Sequence, residues 1–225
     1  MDTVTNSIFE EIKSEISALP EDQRYLVGIG GFPGSGKSSF TKHLTDKFTH
    51  SSIKAVAISM DGWHYTRDQL SKFPDPTAAF ARRGAPHTFD AEAYTEFVQS
   101  LKLEPRVALE APTFSHSLKD PTPSGTQVDT SVKVVIIEGN YVLLNEERWM
   151  KAANNLDKKI WVDIDEETTR QRLIKRHVES GICKDSQEAY DRAENNDLDN
   201  GRYARQNLVP DTQIIKSIED EKFAI

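Results

Sequence analysis

Gly31-Phe32-Pro33-Gly34-Ser35-Gly36-Lys37-Ser38 satisfies the pattern G-x-x-x-x-G-K-[ST] at every fixed position. Glycines in such a loop let successive backbone N–H groups converge on phosphate oxygens, the lysine places a point charge between the terminal phosphates, and the hydroxyl of Ser38 is placed to ligate Mg²⁺. The flanks agree with this reading. Tyr25 to Gly30 is a short apolar run of the kind that forms a strand covered on both faces. Lys37 to Phe48 carries Phe40, Leu44 and Phe48 at spacings of four, one face of a helix that opens at Lys37, Ser38 and Ser39. Phosphates held by Gly31 to Ser39 would lie at the positive end of that helix. The sequence therefore predicts a nucleoside triphosphate site.

Outward from this loop, Ile53 to Ile58, Arg106 to Ala111, Val132 to Ile137 and Lys159 to Asp163 read as further strands. Helical patterns alternate with them: one after a possible cap at Asp90, running to about Leu103, and one over Glu166 to Glu179 that Gly181 stops. Val4, Ile8, Ile12, Ile16 and Leu19 recur at helical spacing before Pro20, so residues 1–20 are expected to open the chain with an amphipathic helix. Alternating strands and helices define an α/β protein with a mainly parallel sheet between helical layers. The 225 residues show no repeat or composition shift, which predicts one domain over 1–225. Asp61 to Pro86 and Pro112 to Gly125 carry loop chemistry and are long enough to be functional.

A phosphate loop serves switches, motors and small-molecule kinases alike, so the rest of the chain has to choose. The sequence contains neither the Asn-Lys-x-Asp nor the D-x-x-G signature of a GTPase switch. It does place Asp61, within Ser59-Met60-Asp61-Gly62-Trp63-His64, directly after the second buried strand, at the edge of an α/β sheet where ligands bind. Asp61 can serve as the base for an attacking hydroxyl, hold Mg²⁺ through water, or simply cap a turn. Glu138 ends the run Val134-Val135-Ile136-Ile137 and is a second acid for a metal or a water, in a position where Asp is more usual. Arg170, Arg172, Lys175, Arg176 and His177 make one helix strongly basic; they are either cations that close over a nucleotide or a solvated face. Arg172 and Arg176, four apart, share a face and are the favoured pair.

Several segments together resemble the phosphoribulokinase and uridine kinase superfamily, in particular the branch similar to type I pantothenate kinase. They are Gly31 to Ser38, Ser59 to Tyr65, Arg82-Arg83-Gly84-Ala85-Pro86-His87-Thr88-Phe89-Asp90, Ala111-Pro112-Thr113-Phe114-Ser115-His116, and Ile136 to Leu143. The resemblance implies a five-stranded, mainly parallel core sheet, a small antiparallel hairpin near the acceptor, and a helical lid over about 166–208. It also implies ATP with Mg²⁺ and transfer of the γ-phosphate to a hydroxyl. Asp61 would be the base, Arg172 and Arg176 lid cations, Ser38 and Glu138 the metal side, and His64, Arg82, His116 and Asn140 acceptor contacts beside Asp61. Residues 181–201 resemble uridine-kinase-like and fructose-transport-kinase-like relatives instead, which leaves nucleoside, sugar and pantothenate-type acceptors all open. Within them Asn196, Asp197 and Asn200 either contact a hydroxylated substrate or make an ordinary capped turn.

A formal net charge of −8 argues against broad phosphate neutralisation of a nucleic acid. Cys183 is the single cysteine, so no intrachain disulfide forms and a reducing compartment, cytosol or nucleus, is expected. The acidic, interrupted stretch of residues 1–20 does not read as a signal peptide and no apolar run approaches a membrane span, so no membrane anchor is expected. The expected partners are ATP and a small hydroxylated metabolite, without nucleic acid or membrane, with a homodimer as an assembly to test. A regulatory protein that hydrolyses ATP slowly is the competing expectation.

Overall fold

The computed structural model describes residues 2–115 and 117–217, the side chain of Asp2 excepted. The chain opens with α1 (Asp2–Ala18), β1 (Tyr25–Gly31), α2 (Lys37–His50) and β2 (Ala55–Ser59). A 3₁₀ turn at Met60–Trp63, the short helices α3 (Arg67–Leu70) and α4 (Pro76–Ala81) and a second 3₁₀ turn at Pro86–Thr88 lead into α5 (Ala91–Ser100). Next come β3 (Leu109–Ser115), β4 (Asp120–Val128), β5 (Val134–Glu138), α6 (Glu147–Ala153), β6 (Lys158–Asp163), α7 (Glu166–Glu179) and α8 (Ser186–Arg192). A π-helical turn at Ala193–Leu198, α9 (Asp199–Gln206) and β7 (Gln213–Lys216) complete the described chain.

The main sheet has the order β2-β5-β1-β6-β7, with every neighbouring pair parallel. Side chains alternate faces along a strand, and here both faces are covered. Val134 and Ile136 of β5 join Val27, Ile29 and Ile160 in a core closed by Ile8 and Ile12 of α1 and Phe40, Leu44 and Phe48 of α2. Val135 and Ile137 point the other way, into a core with Leu26, Trp161, Tyr94 of α5, Trp149 of α6 and Leu173 of α7. The helical spacing of apolar residues in α1 and α2 is thus the imprint of one buried face. The caps fall where the sequence placed them: Asp90 accepts from the Ala93 N–H at 3.0 Å, and Gly181, at φ 66°, closes α7.

Two sequence expectations change. The fifth strand of the sheet is β7, not Arg106 to Ala111. Arg106 instead donates to the carbonyls of Thr130 and Val132, and only the end of its segment enters β3. Pro112 to Gly125, read as a loop, forms most of the antiparallel pair β3 and β4, whose register shifts between Ala111 and Thr113. Prolines are tolerated there because a two-stranded ribbon has only edges. Asp61 to Pro86 contains short helices with their own caps, such as Thr66, which accepts from the Gln69 N–H while Gln69 returns a bond to the Thr66 N–H. No helix among the described residues is long and apolar enough to cross a membrane.

Candidate active site

β1 is central, and the connection from β1 to β2 skips the slot that β5 fills, so the carboxyl ends of β1, β5 and β2 open onto a single crevice. The loop after β1 turns on Gly34 and Gly36, at φ 81° and 86°. Gly31 cannot carry a side chain, because a Cβ there would lie 2.5 Å from Ser35 Oγ and 2.9 Å from the Val162 carbonyl oxygen. α2 starts without a side-chain cap and without an acidic residue in its first turn. Its free N–H groups and the positive end of its dipole remain available to an anion. Lys37 Nζ donates to the Phe32 carbonyl at 3.4 Å, folding back over the loop. Pro33 and Ser35 are buried within the turn, and Ser39 is half-buried at the start of α2.

Strand register assembles the acids. Glu138 lies opposite Ser59 on one side and Ile29 on the other. Ser38 Oγ donates to Glu138 Oε2 at 3.3 Å, so a hydroxyl and a carboxylate meet at the phosphate loop. Asp61 sits in the 3₁₀ turn after β2 with its N–H donating to Ser59 Oγ at 3.4 Å, and its carboxylate is 44% exposed to the crevice. Gly62 lets the turn slide beneath β3, since a Cβ would meet the Pro112 carbonyl oxygen at 2.2 Å. His64 lies with Nε2 3.9 Å from Asp61 Oδ1, stacked on Phe89 at 3.8 Å between ring centroids and tilted against Phe114 at 5.2 Å. Burial drives its pKa down to about 4, against the pull of Asp61, so the ring is neutral at physiological pH. Asn140 is half-buried two residues beyond Glu138. His116 lies outside the described residues.

Electrostatically, Lys37 is the hub. Burial lowers the pKa of its ammonium, Glu138 and Asp61 raise it, Arg176 lowers it and Asp197 raises it. Burial pushes the Glu138 carboxyl up, while Lys37 and the hydroxyls of Ser59 and Ser38 pull it down and Asp61 adds to the rise. Among the described residues no cluster of three His, Cys, Asp or Glu side chains could hold a metal by itself. The oxygen donors of Ser38 and Glu138 fit a Mg²⁺ that draws its other ligands from phosphate and water, the habit of that ion.

Above the loop, α7 and α9 form a cover. Arg172 Nη1 donates to the Gly34 carbonyl at 3.2 Å, and Leu173 packs over Gly34, its Cγ 3.6 Å from where a Cβ would lie. Arg176 is exposed on the same helix. The other basic residues of α7 are engaged elsewhere: Arg170 pairs with Glu194 at 3.0 Å, Lys175 with Glu179 at 3.9 Å, and His177 donates through Nε2 to Asp197 Oδ2 at 2.8 Å. Arg82 reaches the cover from α4, pairing with Asp199 at 3.5 Å, donating to Asn200 Oδ1 at 3.3 Å and bonding the Asn195 carbonyl. Two contributors escaped the sequence reading. Arg83 donates to Asp120 at 2.8 Å and to the Tyr65 carbonyl at 2.9 Å, tying the β3–β4 ribbon to the Asp61 segment. Tyr141 OH donates to the Gly84 carbonyl at 2.7 Å. Both join residues far apart in the chain, and the only local signal was the Arg-Arg-Gly stretch itself.

Gly201 of α9 lies against Phe32, and a Cβ there would fall 2.2 Å from the ring. Alanine is the better helix former by about 1 kcal/mol. Even so, Gly201→Ala is expected to raise the KM for ATP, because Phe32 belongs to the phosphate loop and must move to admit the methyl group. A KM equal to that of the unaltered protein would show that Phe32 gives way without disturbing the loop.

A phosphate loop on a central parallel strand, two strand-end acids and an arginine-bearing cover define a P-loop kinase. The model of the phosphoribulokinase/uridine kinase family matches residues 26–199, and the chain belongs to that family. A Schizosaccharomyces pombe protein described as "Putative uridine kinase C227.14" is 33% identical over 217 residues, covering 94% of this chain and 92% of the relative. An ATP-dependent kinase-like protein of Aspergillus versicolor, notR′, is 40% identical over 159 residues, 69% of this chain and 92% of its own length. Among solved structures, a "putative fructose transport system kinase" of Silicibacter sp. TM1040 superposes with a TM-score of 0.79 at 28% identity, covering 91% of this chain and 97% of the other.

Proposed function

We propose that the chain transfers the γ-phosphoryl group of ATP to a hydroxyl of a small metabolite, with a nucleoside such as uridine as the first acceptor to test. The observation that carries this reading is Asp61, a half-open carboxylate beside Lys37 at the carboxyl edge of the sheet, outside the phosphate loop itself. A regulatory ATPase needs no base on that side. The acceptor oxygen attacks the γ-phosphorus and its proton passes to the Asp61 carboxylate. The bond from phosphorus to the β,γ-bridging oxygen breaks, and ADP leaves with the electron pair. Lys37, Arg172 and Arg176 offset the charge on the transferred group. Bound Mg²⁺, held from the protein side by Ser38 and Glu138, would draw charge from the phosphate oxygens.

On this reading residues 1–225 act as one kinase domain, with about 166–208 as its lid and His64, Arg82, Asn140 and His116 around the acceptor. The names of two relatives, "Putative uridine kinase C227.14" and "putative fructose transport system kinase", favour a nucleoside or a sugar. The test is ATP consumption with Mg²⁺ against a panel of nucleosides, sugars, glycerate and pantothenate, followed by mass spectrometry for the gain of one phosphate. One phosphorylated product is expected. ATP hydrolysis at the same rate with every acceptor and with none would overturn the kinase assignment.

A further inference from the structure

The π-helical turn between α8 and α9 holds a third carboxylate that the reaction outlined above does not use. A π-turn adds a residue to the helix and often marks a working position. Three side chains of this turn and the start of α9 each have a defined partner. Asn196, buried, donates through Nδ2 to the Arg83 carbonyl at 3.2 Å. Asn200, also buried, donates to Asn196 Oδ1 at 3.4 Å and accepts from Arg82. Asp197 lies between them in sequence, with 15% of its side chain exposed, and its Oδ2 accepts from His177, itself buried on α7. Its second oxygen, Oδ1, accepts no hydrogen bond among the described residues. Asp197 thus stands at the junction of the phosphate-loop cover and the Arg82–Gly84 segment. Its charge acts on Lys37 and Tyr141, two of the groups on which Asp61 also acts.

The two arginines of the neighbouring Arg82–Gly84 segment are already committed. Arg82 is paired with Asp199 and bonded to the Asn195 carbonyl and Asn200. Arg83 is paired with Asp120 and bonded to the carbonyls of Tyr65 and Lys119. His64 is neutral. An acceptor with its own carboxylate or phosphate at this end would meet two acids and no uncommitted guanidinium from this segment, at an electrostatic cost. An uncharged acceptor with several hydroxyls would offer a donor to each acid.

We propose that Asp197, oriented by His177, is a specificity residue that accepts a hydrogen bond from a second hydroxyl of the acceptor, and that the acceptor is therefore a neutral polyhydroxylated molecule. This rests on the kinase reading and narrows its substrate class. A hydrogen bond to a charged group contributes roughly 1.5–3 kcal/mol, which corresponds to about 10- to 100-fold in affinity.

The experiment measures kcat and KM for the full chain and for Asp197→Asn at saturating MgATP. The acceptors are uridine, ribose and fructose on one side and D-glycerate and pantothenate on the other, with monodeoxy analogues of the best neutral acceptor. A neutral polyol is expected to have the highest kcat/KM. Asp197→Asn is expected to raise its KM about 10- to 100-fold, with the KM for ATP unchanged. One monodeoxy analogue is expected to lose a similar factor with the unaltered protein and nothing further with the variant, a coupling that general loosening of the lid does not produce. His177→Gln, which keeps a donor toward Asp197, is expected to hold the acceptor KM near its original value. Calorimetric binding of MgADP by each variant checks that it folds. The proposal is overturned by an anionic acceptor with the highest kcat/KM, by an acceptor KM that Asp197→Asn leaves unchanged, or by KM values for ATP and acceptor that rise together. Acceptor-independent ATP hydrolysis throughout would instead remove the kinase reading, and the proposal with it.

Discussion

Replacement of Lys37 by alanine is expected to lower ATP-dependent turnover by on the order of 10³-fold, the scale seen when one preorganised donor to transition-state charge is lost. The geometry gives a reason to expect the upper part of that scale. Lys37 is the group on which Glu138, Asp61, Arg176 and Asp197 all act, so its removal takes away the cation that separates three carboxylates as well as a phosphate contact. Glu138, already pushed up by burial, loses its principal counter-charge and should titrate higher still. Both kcat and ATP affinity should fall. The check pairs steady-state rates with MgADP binding by calorimetry, and turnover near that of the unaltered protein would show that phosphate charge is met elsewhere.

Asp61→Asn is expected to act differently. The amide keeps the size of the side chain but cannot take a proton, so transfer should fall by about 10²- to 10⁴-fold, the range for loss of general base catalysis. Nucleotide binding should persist, because Asp61 stands outside the loop of Gly31 to Ser38 and its backbone contact to Ser59 survives the substitution. The same pair of measurements separates the two variants: Lys37→Ala loses rate and binding, Asp61→Asn rate alone. Full transfer activity in Asp61→Asn would remove this residue from the role of base and leave it without the role of turn cap, which Ser59 fills. A parallel loss of MgADP affinity would point instead to a part in holding the metal–nucleotide complex.

What could be read directly from the chain was whatever depends on neighbours in sequence. The phosphate loop is one continuous stretch whose glycines dictate its shape, and Asp61 and Glu138 are marked by the buried strands they terminate. The basic face of α7 was visible in the same way, and the spacing of four singled out Arg172 and Arg176 on it, but the partner that holds Arg170 was not legible, since Glu194 lies a helix and a turn away. β7 escaped because four residues at a sheet edge, only Ile215 of them buried, carry too short a pattern to stand out. The β3–β4 ribbon was hidden by Pro112, Pro121 and Pro123, which signal a loop unless the strand is known to lie at an edge. The His177–Asp197 bond joins two helices through a π-turn, and no periodicity announces it.

The strand order also sets the sequence of events during synthesis. Among the described residues β1 pairs only with β5 and β6, and β2 only with β5, so these two strands, made before the rest of the sheet, have no native partner in each other. The slot between them stays open until Val134 to Glu138 emerges, and the chain must close a long loop before any parallel ladder is gained. Until then Tyr25 to Gly31 is an apolar strand with two bare edges, the kind of nascent segment that chaperones shield. The loop that decides the fold is thus made early and becomes a working phosphate cradle late, after the strands on both sides and the helices that rest on Phe32 and Gly34 have followed it.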